Sequence, residues 1–194
     1  MKIALGIPNT GTIRAKTMLS VVGTIFETPH PIHLIEQGGC YVQENRQKIV
    51  REAQRAGCEK LFFVDSDMYF APSTLRALLA HEKPIVGAAY NYRHLPLETT
   101  VKFADADGHL VAKPAEEIPK EFFACYAVGT GCCLVDMRVF DNLGSPPWFD
   151  CDYDEEGALR TGDDLWFCRS AHQAGYEVWC DPTLGVRHLG EYEY

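Results

Sequence analysis

The stretch Leu61-Phe62-Phe63-Val64-Asp65-Ser66-Asp67 sets four apolar residues directly before two carboxylates spaced two positions apart. An unbroken apolar run of this length reads as a strand buried on both faces, the kind found inside a parallel sheet. Ligands of open parallel sheets gather beyond the carboxyl ends of the strands, so these acids stand where a ligand would be met. Placed there, Asp65 and Asp67 can share a hard divalent cation, directly and through its water. Magnesium or manganese bound this way keeps positions open for phosphate oxygens, which makes a diphosphate the natural partner. An acidic turn capping the following helix is the plainer alternative.

Working outward, the residues around this strand alternate in kind. Residues 2–7 read as an apolar strand stopped by Pro8-Asn9-Thr10-Gly11, and residues 13–26 carry apolar side chains at helical spacing. Residues 31–35 form a second strand candidate. Residues 42–56 read as a helix with Ile49, Val50 and Ala53 on one face and Gly57 as its stop. Pro72-Ser73 opens a helix through Leu75, Leu78 and Leu79, and residues 84–89 are another buried strand. Strand and helix in such alternation predict an α/β fold with a mostly parallel sheet.

The rest of the chain differs in character. Residues 99–103 and 109–112 flank Ala104-Asp105-Ala106-Asp107-Gly108, a hairpin signal. Residues 122–128 and 132–135 read as strands interrupted by Gly129-Thr130-Gly131. Residues 144–161 read as a long loop, 162–174 as a helix, 176–180 as a strand and 184–188 as a short final strand.

With 194 residues the chain suits one domain. Its net charge of −9 gives no global basic footprint for holding nucleic acid. That charge is lopsided: residues 1–140 balance, while residues 141–194 hold 12 acidic and 3 basic side chains. Five of those acids, Asp150, Asp152, Asp154, Glu155 and Glu156, fall in the 144–161 loop. Read as the border of a cleft, that loop would favour neutral or cationic ligands. No apolar run reaches the roughly 20 residues that span a bilayer. The eight cysteines show no CxxC pair or zinc spacing, and read mostly as buried thiols in a reducing cytoplasm.

Two further features carry chemistry. Asp163-Asp164 opens the helix Gly162-Asp163-Asp164-Leu165-Trp166-Phe167-Cys168-Arg169, where a carboxylate serves either as a cap or as a general base for an attacking alcohol. His188, in Val186-Arg187-His188-Leu189-Gly190, is either a structural histidine or the imidazole of a carboxylate-containing metal site.

In this order the motifs resemble those of a GT-A fold glycosyltransferase, similar to the family 2 type with its DxD motif and to small stand-alone bacterial or phage members. The resemblance implies one domain over 1–194, with residues 1–95 as the nucleotide-sugar-binding half and 96–194 as the acceptor half. It implies a mostly parallel central sheet, helices on both faces and a small antiparallel portion. By the DxD match, Asp67 would be the direct ligand of Mn2+ or Mg2+, Asp65 would sit near the ribose or a metal-bound water, and His188 would be a second protein ligand. Pro8, Asn9 and Thr10 would border the nucleotide base. Asn45 and Arg46 would face the donor, as would Ser66, and Tyr90-Asn91-Tyr92-Arg93 would line the donor or acceptor side. Asp164 matches the usual base of inverting members, with Asp163 replacing the more common Glu before it.

The reaction so implied moves a sugar from a nucleotide-diphosphate sugar, UDP first, to a hydroxyl acceptor. The acceptor would be a glycan or lipid-linked saccharide, or second, a hydroxymethylated DNA base. The expected compartment is the cytoplasm, or the host cytoplasm for a phage protein. A metal-dependent nucleotidyltransferase or phosphohydrolase also needs clustered carboxylates, yet the sequence has neither GxxxxGK[ST] nor GxGxxG. A non-catalytic α/β binding domain is the other alternative.

Overall fold

The computed structural model of the protein describes residues 1–105 and 109–190. The first half runs β1 (Ile3–Asn9), α1 (Ala15–Glu27), β2 (Ile32–Gly38), α2 (Val42–Arg55), β3 (Lys60–Val64), β4 (Met68–Tyr69), α3 (Thr74–Ala80) and β5 (Ile85–Ala88). Next come β6 (Glu98–Ala104), β7 (Leu110–Pro114), β8 (Phe123–Cys125), β9 (Cys132–Asp136) and α4 (Met137–Leu143). The chain continues with β10 (Asp152–Tyr153), β11 (Leu159–Thr161), α5 (Asp163–Gln173), β12 (Val178–Asp181) and β13 (Arg187–His188).

A seven-stranded sheet of order β2-β1-β3-β9-β5-β12-β8 forms the centre. Strands β2, β1, β3, β5 and β12 run one way, and β9 and β8 run against them. Side chains of a strand alternate between faces. Leu61 and Phe63 therefore enter a core beneath α2, α4 and α5, while Phe62 and Val64 enter one beneath α1 and α3. Both faces are covered, which is why the Leu61–Val64 run has no polar interruption.

The strand and helix alternation of the first 90 residues is as the periodicity predicts. One neighbour is not. β9 inserts antiparallel between β3 and β5, pairing Val64 with Cys132 and Val86 with Leu134. Nothing local to an apolar run of four or five residues specifies its partner.

Three elements depart from the sequence reading. Residues 137–143 form helix α4, where the Asp136 side chain accepts the Arg138 backbone N–H as an N-cap. The segment read as a long loop contains the β10–β11 hairpin, closed by Asp154 accepting the N–H groups of Glu156 and Ala158 at 3.0 and 2.8 Å. The strand read over 122–128 holds only as the short β8. The β6–β7 hairpin forms antiparallel as expected, and residues 106–108 of its turn lie outside the described residues.

All eight cysteines are free, five of them buried. Burial pushes the Cys125 thiol up to about 12, which leaves it unreactive. Among the described residues no helix is long and apolar enough to cross a membrane.

Candidate active site

Because β1, β3 and β5 share a direction and β9 opposes them, the ends of three strands and the start of a fourth meet at one edge of the sheet. Residues 8–10, 65–67, 89–93 and 129–131 converge there. A cavity of about 380 Å³ at this edge is lined by Pro8, Asn9, Thr10, Thr12, Arg14, Val42, Asp65, Ser66, Asp67, Arg93 and His188. Of the sequence candidates, Pro8, Asn9, Thr10, Asp65, Ser66, Asp67, Arg93 and His188 are thus brought together.

Asp67 and His188 meet through the smallest sheet in the molecule. β13 pairs antiparallel with β4, setting His188 opposite Met68, and the Leu189 N–H donates to the Asp67 carbonyl at 2.7 Å. His188 Nε2 lies 3.4 Å from Asp67 Oδ1, and Arg93 reaches Asp67 Oδ2 at 3.0 Å. Burial works against the Asp67 charge, but the His188 hydrogen bond and the charges of His188 and Arg93 outweigh it and hold the carboxyl below its usual range. On its other side His188 Nδ1 sits 3.2 Å from the Asn91 carbonyl. A carbonyl only accepts, so Nδ1 carries the proton there. Nε2 faces the space it shares with an Asp67 carboxylate oxygen. One imidazole oriented by a carbonyl and one carboxylate form a donor set that fits a divalent cation such as Mn2+.

Asp65 does not join that pair. Arg46 Nη2 donates to both its oxygens, at 2.8 and 3.0 Å, and Arg46 Nη1 donates to Asp163 and lies 3.5 Å from Asp164. Among the described residues no three His, Cys, Asp or Glu side chains gather as a metal site. The two strand-end acids turn to different partners, because Arg46 reaches Asp65 while Arg93 and His188 reach Asp67. Burial raises the Asp65 carboxyl, and the Arg46 charge only partly offsets this.

Arg46 itself is 3% exposed. Burial opposes its charge, yet Asp65, Asp164 and Asp163 together hold the guanidinium well above its ordinary value. Neither Arg46 nor Asn45 lines this cavity. Asn45 braces the wall instead, donating to the carbonyls of Asn9 and Gly39 at 3.0 and 3.1 Å. Its Oδ1 and the Arg46 Nε are buried without a hydrogen-bond partner among the described residues.

The two acids opening α5 separate cleanly. Asp163 is 14% exposed and engaged by Arg46, whereas Asp164 keeps 38% of its side chain open. The Thr130 hydroxyl donates to Asp164. Burial of its inner side pushes the Asp164 carboxyl up to about 6; the Arg46 charge lowers it, and the charges of Asp163 and Asp65 raise it. A carboxylate near that value is a better base than an ordinary one and is still ionised at neutral pH. Asp164 lines a second cavity of about 330 Å³ with Tyr92, Thr100, Lys102, Ala127, Val128, Leu159, Arg160, Gly162 and Leu165.

Gly129-Thr130-Gly131 meets Asp164 of the second cavity through Thr130 and Asp65 of the first through Gly131, and its glycines are set by close packing. A Cβ on Gly129 would stand 2.1 Å from the Tyr90 hydroxyl, and one on Gly131 2.7 Å from it and 2.9 Å from Asp65. The Gly131 N–H donates to that hydroxyl at 3.0 Å. Residues 90–93 then alternate: Tyr90 underlies the turn, Asn91 orients His188, Tyr92 lines the second cavity and Arg93 the first.

Sequence reading missed Thr12, Arg14 and Val42 in the first cavity and gave Thr130 no role. The cluster Pro8–Thr12 before a helix was the available signal for Arg14. For Thr130 it was a polar residue held between glycines.

Neither a protein-family profile nor a curated protein sequence matches the chain. Solved structures do. A197 from STIV superposes with a TM-score of 0.64 at 15% identity, over 98% of this chain and 86% of that one. GalNAc-T7, solved with UDP, GalNAc and Mn2+, superposes with a TM-score of 0.64 at 15% identity, over 98% of this chain and 44% of that one. The chain thus spans less than half of the GalNAc-T7 structure, and the fold they share is the GT-A fold.

Proposed function

We propose that the chain is a metal-dependent glycosyltransferase that moves a sugar from a nucleotide-diphosphate sugar, UDP-sugars first, to a saccharide hydroxyl with inversion. One observation carries this reading: a single buried guanidinium, Arg46, reaches both Asp65 in the wall of one cavity and Asp164 in the wall of the other. A base and a diphosphate site so joined match the two requirements of glycosyl transfer, a deprotonated acceptor and a stabilised leaving group.

Pro8, Asn9 and Thr10 border the nucleotide end of the donor, and Arg14 and Arg93 offer cations to its phosphates. Asp67 and His188 would hold Mn2+ or Mg2+, which when bound neutralises charge on the departing diphosphate. Asp65, fixed by Arg46, stands on the ribose side. Asp164 takes the proton from the acceptor hydroxyl as that oxygen attacks the sugar, and Thr130 holds its carboxylate in place.

Incubation with a panel of nucleotide sugars and Mn2+ tests the reading. Slow, metal-dependent release of nucleoside diphosphate is the expected result. Release of pyrophosphate or nucleoside monophosphate instead would assign a nucleotidyltransferase or phosphohydrolase.

A further inference from the structure

The cavity that holds Asp164 also carries two cations, Lys102 and Arg160, and among the described residues neither makes an ion pair with a carboxylate. Lys102 stands on β6 where that strand is tied to the body of the protein, its N–H donating to the Ala127 carbonyl at 2.9 Å. Its ammonium lies 5.0 Å from the centroid of the Tyr92 ring, which steers it along the cavity wall. Arg160 stands on β11 across the same cavity. Two acids of the nearby hairpin, Asp152 and Asp154, are engaged elsewhere. Asp152 reaches Arg169 at 3.8 Å, and Asp154 closes the hairpin turn. The acid-rich segment therefore turns Leu159 and Arg160 into the cavity, not its acids.

A chain of net charge −9 repels anions in general, so two unpaired cations beside a candidate base need a local reason. Resting on the glycosyltransferase reading above, we infer that this cavity takes a saccharide acceptor bearing an anionic group, phosphate or carboxylate, held by Lys102 and Arg160 with a hydroxyl presented to Asp164. A volume of about 330 Å³ suits one or two sugar rings and excludes a folded macromolecule.

Binding of glucose 1-phosphate, glucuronate and methyl glucoside to the full chain, by calorimetry and by chemical-shift mapping, tests this without any turnover. Both anionic probes should bind at least tenfold tighter than methyl glucoside, with shifts at residues 159–162. Arg160→Gln, at an exposed position that does not threaten folding, and Lys102→Gln should each weaken the anionic probes about tenfold. Equal binding of neutral and anionic probes, or undiminished binding by both variants, would overturn the inference. So would tighter binding of a hydroxymethylcytosine oligonucleotide or phosphatidylinositol vesicles through the same two residues. Failure of nucleoside diphosphate release in the panel above would overturn the glycosyltransferase reading alone, since the binding measurement needs no donor.

Discussion

Arg46 Nη2 donates to both carboxylate oxygens of Asp65, at 2.8 and 3.0 Å, from a side chain that is itself almost wholly buried. The same guanidinium engages Asp163 and lies near Asp164, so one cation fixes acids from the end of β3 and the start of α5. Removing it would leave three acids crowded without a counter-charge. Arg46→Met should therefore destabilise the fold by about 3–5 kcal/mol in urea unfolding. Arg46→Lys restores the charge but not the planar fork and should recover only part of the loss. A methionine variant as stable as the parent would show that the cluster is not held by this residue.

Asp164 sets the expected pH dependence. With its carboxyl pushed up to about 6, activity should fall on the acid side of that value as the base becomes protonated. Asp164→Asn should lower kcat by about 10²- to 10⁴-fold. Stability should move the other way. A carboxyl raised above its ordinary 3.8 contributes stability that is complete below that value and is lost as pH rises through about 6. After allowance for screening at its open side, the asparagine variant should be more stable by roughly 1 kcal/mol at pH 7.5, with the difference gone below about pH 4. Denaturation at the two pH values checks the sign, and equal stability at pH 7.5 would contradict it.

Thr130 supplies the finer adjustment. Its hydroxyl donates to Asp164 and so favours the charged form. Thr130→Val should shift the acid limb of the rate profile to higher pH by several tenths of a unit and lower kcat with little change in donor KM. An unmoved limb would remove Thr130 from the account.

Much of this arrangement is legible in the sequence, and the remainder has physical reasons for being hidden. The Leu61–Val64 run and the helical spacing of Ile49, Val50 and Ala53 are local periodicities, and they place Asp65 and Asp67 at a strand end. The resemblance pairs His188 with Asp67, and the short final strand is read at 184–188, but its partner β4, a strand of two residues, is too short to leave any periodic signal. Helix α4 follows β9 without a break, so Met137, Val139 and Phe140 extend one apolar stretch. Only the capping role of Asp136 marks the change. Arg46 looks like a solvated helix residue because the carboxylates that bury it come from distant segments. Lys102 and Arg160 lie on separate hairpins, and only the folded chain puts them on one cavity.

Gly131 offers a structural check on the packing against Asp65. An alanine Cβ there would press on the Tyr90 hydroxyl and on Asp65, the first at 2.7 Å. Gly131→Ala should cost about 1–3 kcal/mol and displace Asp65, raising donor KM more than it lowers the melting temperature would suggest. A donor KM equal to that of the parent would contradict this placement.

On the proposed reading, Asp67 and His188 bind the metal that recruits the donor diphosphate. Calorimetry of UDP binding with and without Mn2+ tests it most directly, on the parent chain and on Asp67→Ala and His188→Ala. Mn2+ should tighten UDP binding at least tenfold in the parent, and either substitution should abolish this gain. Metal-dependent binding that survives Asp67→Ala would contradict it.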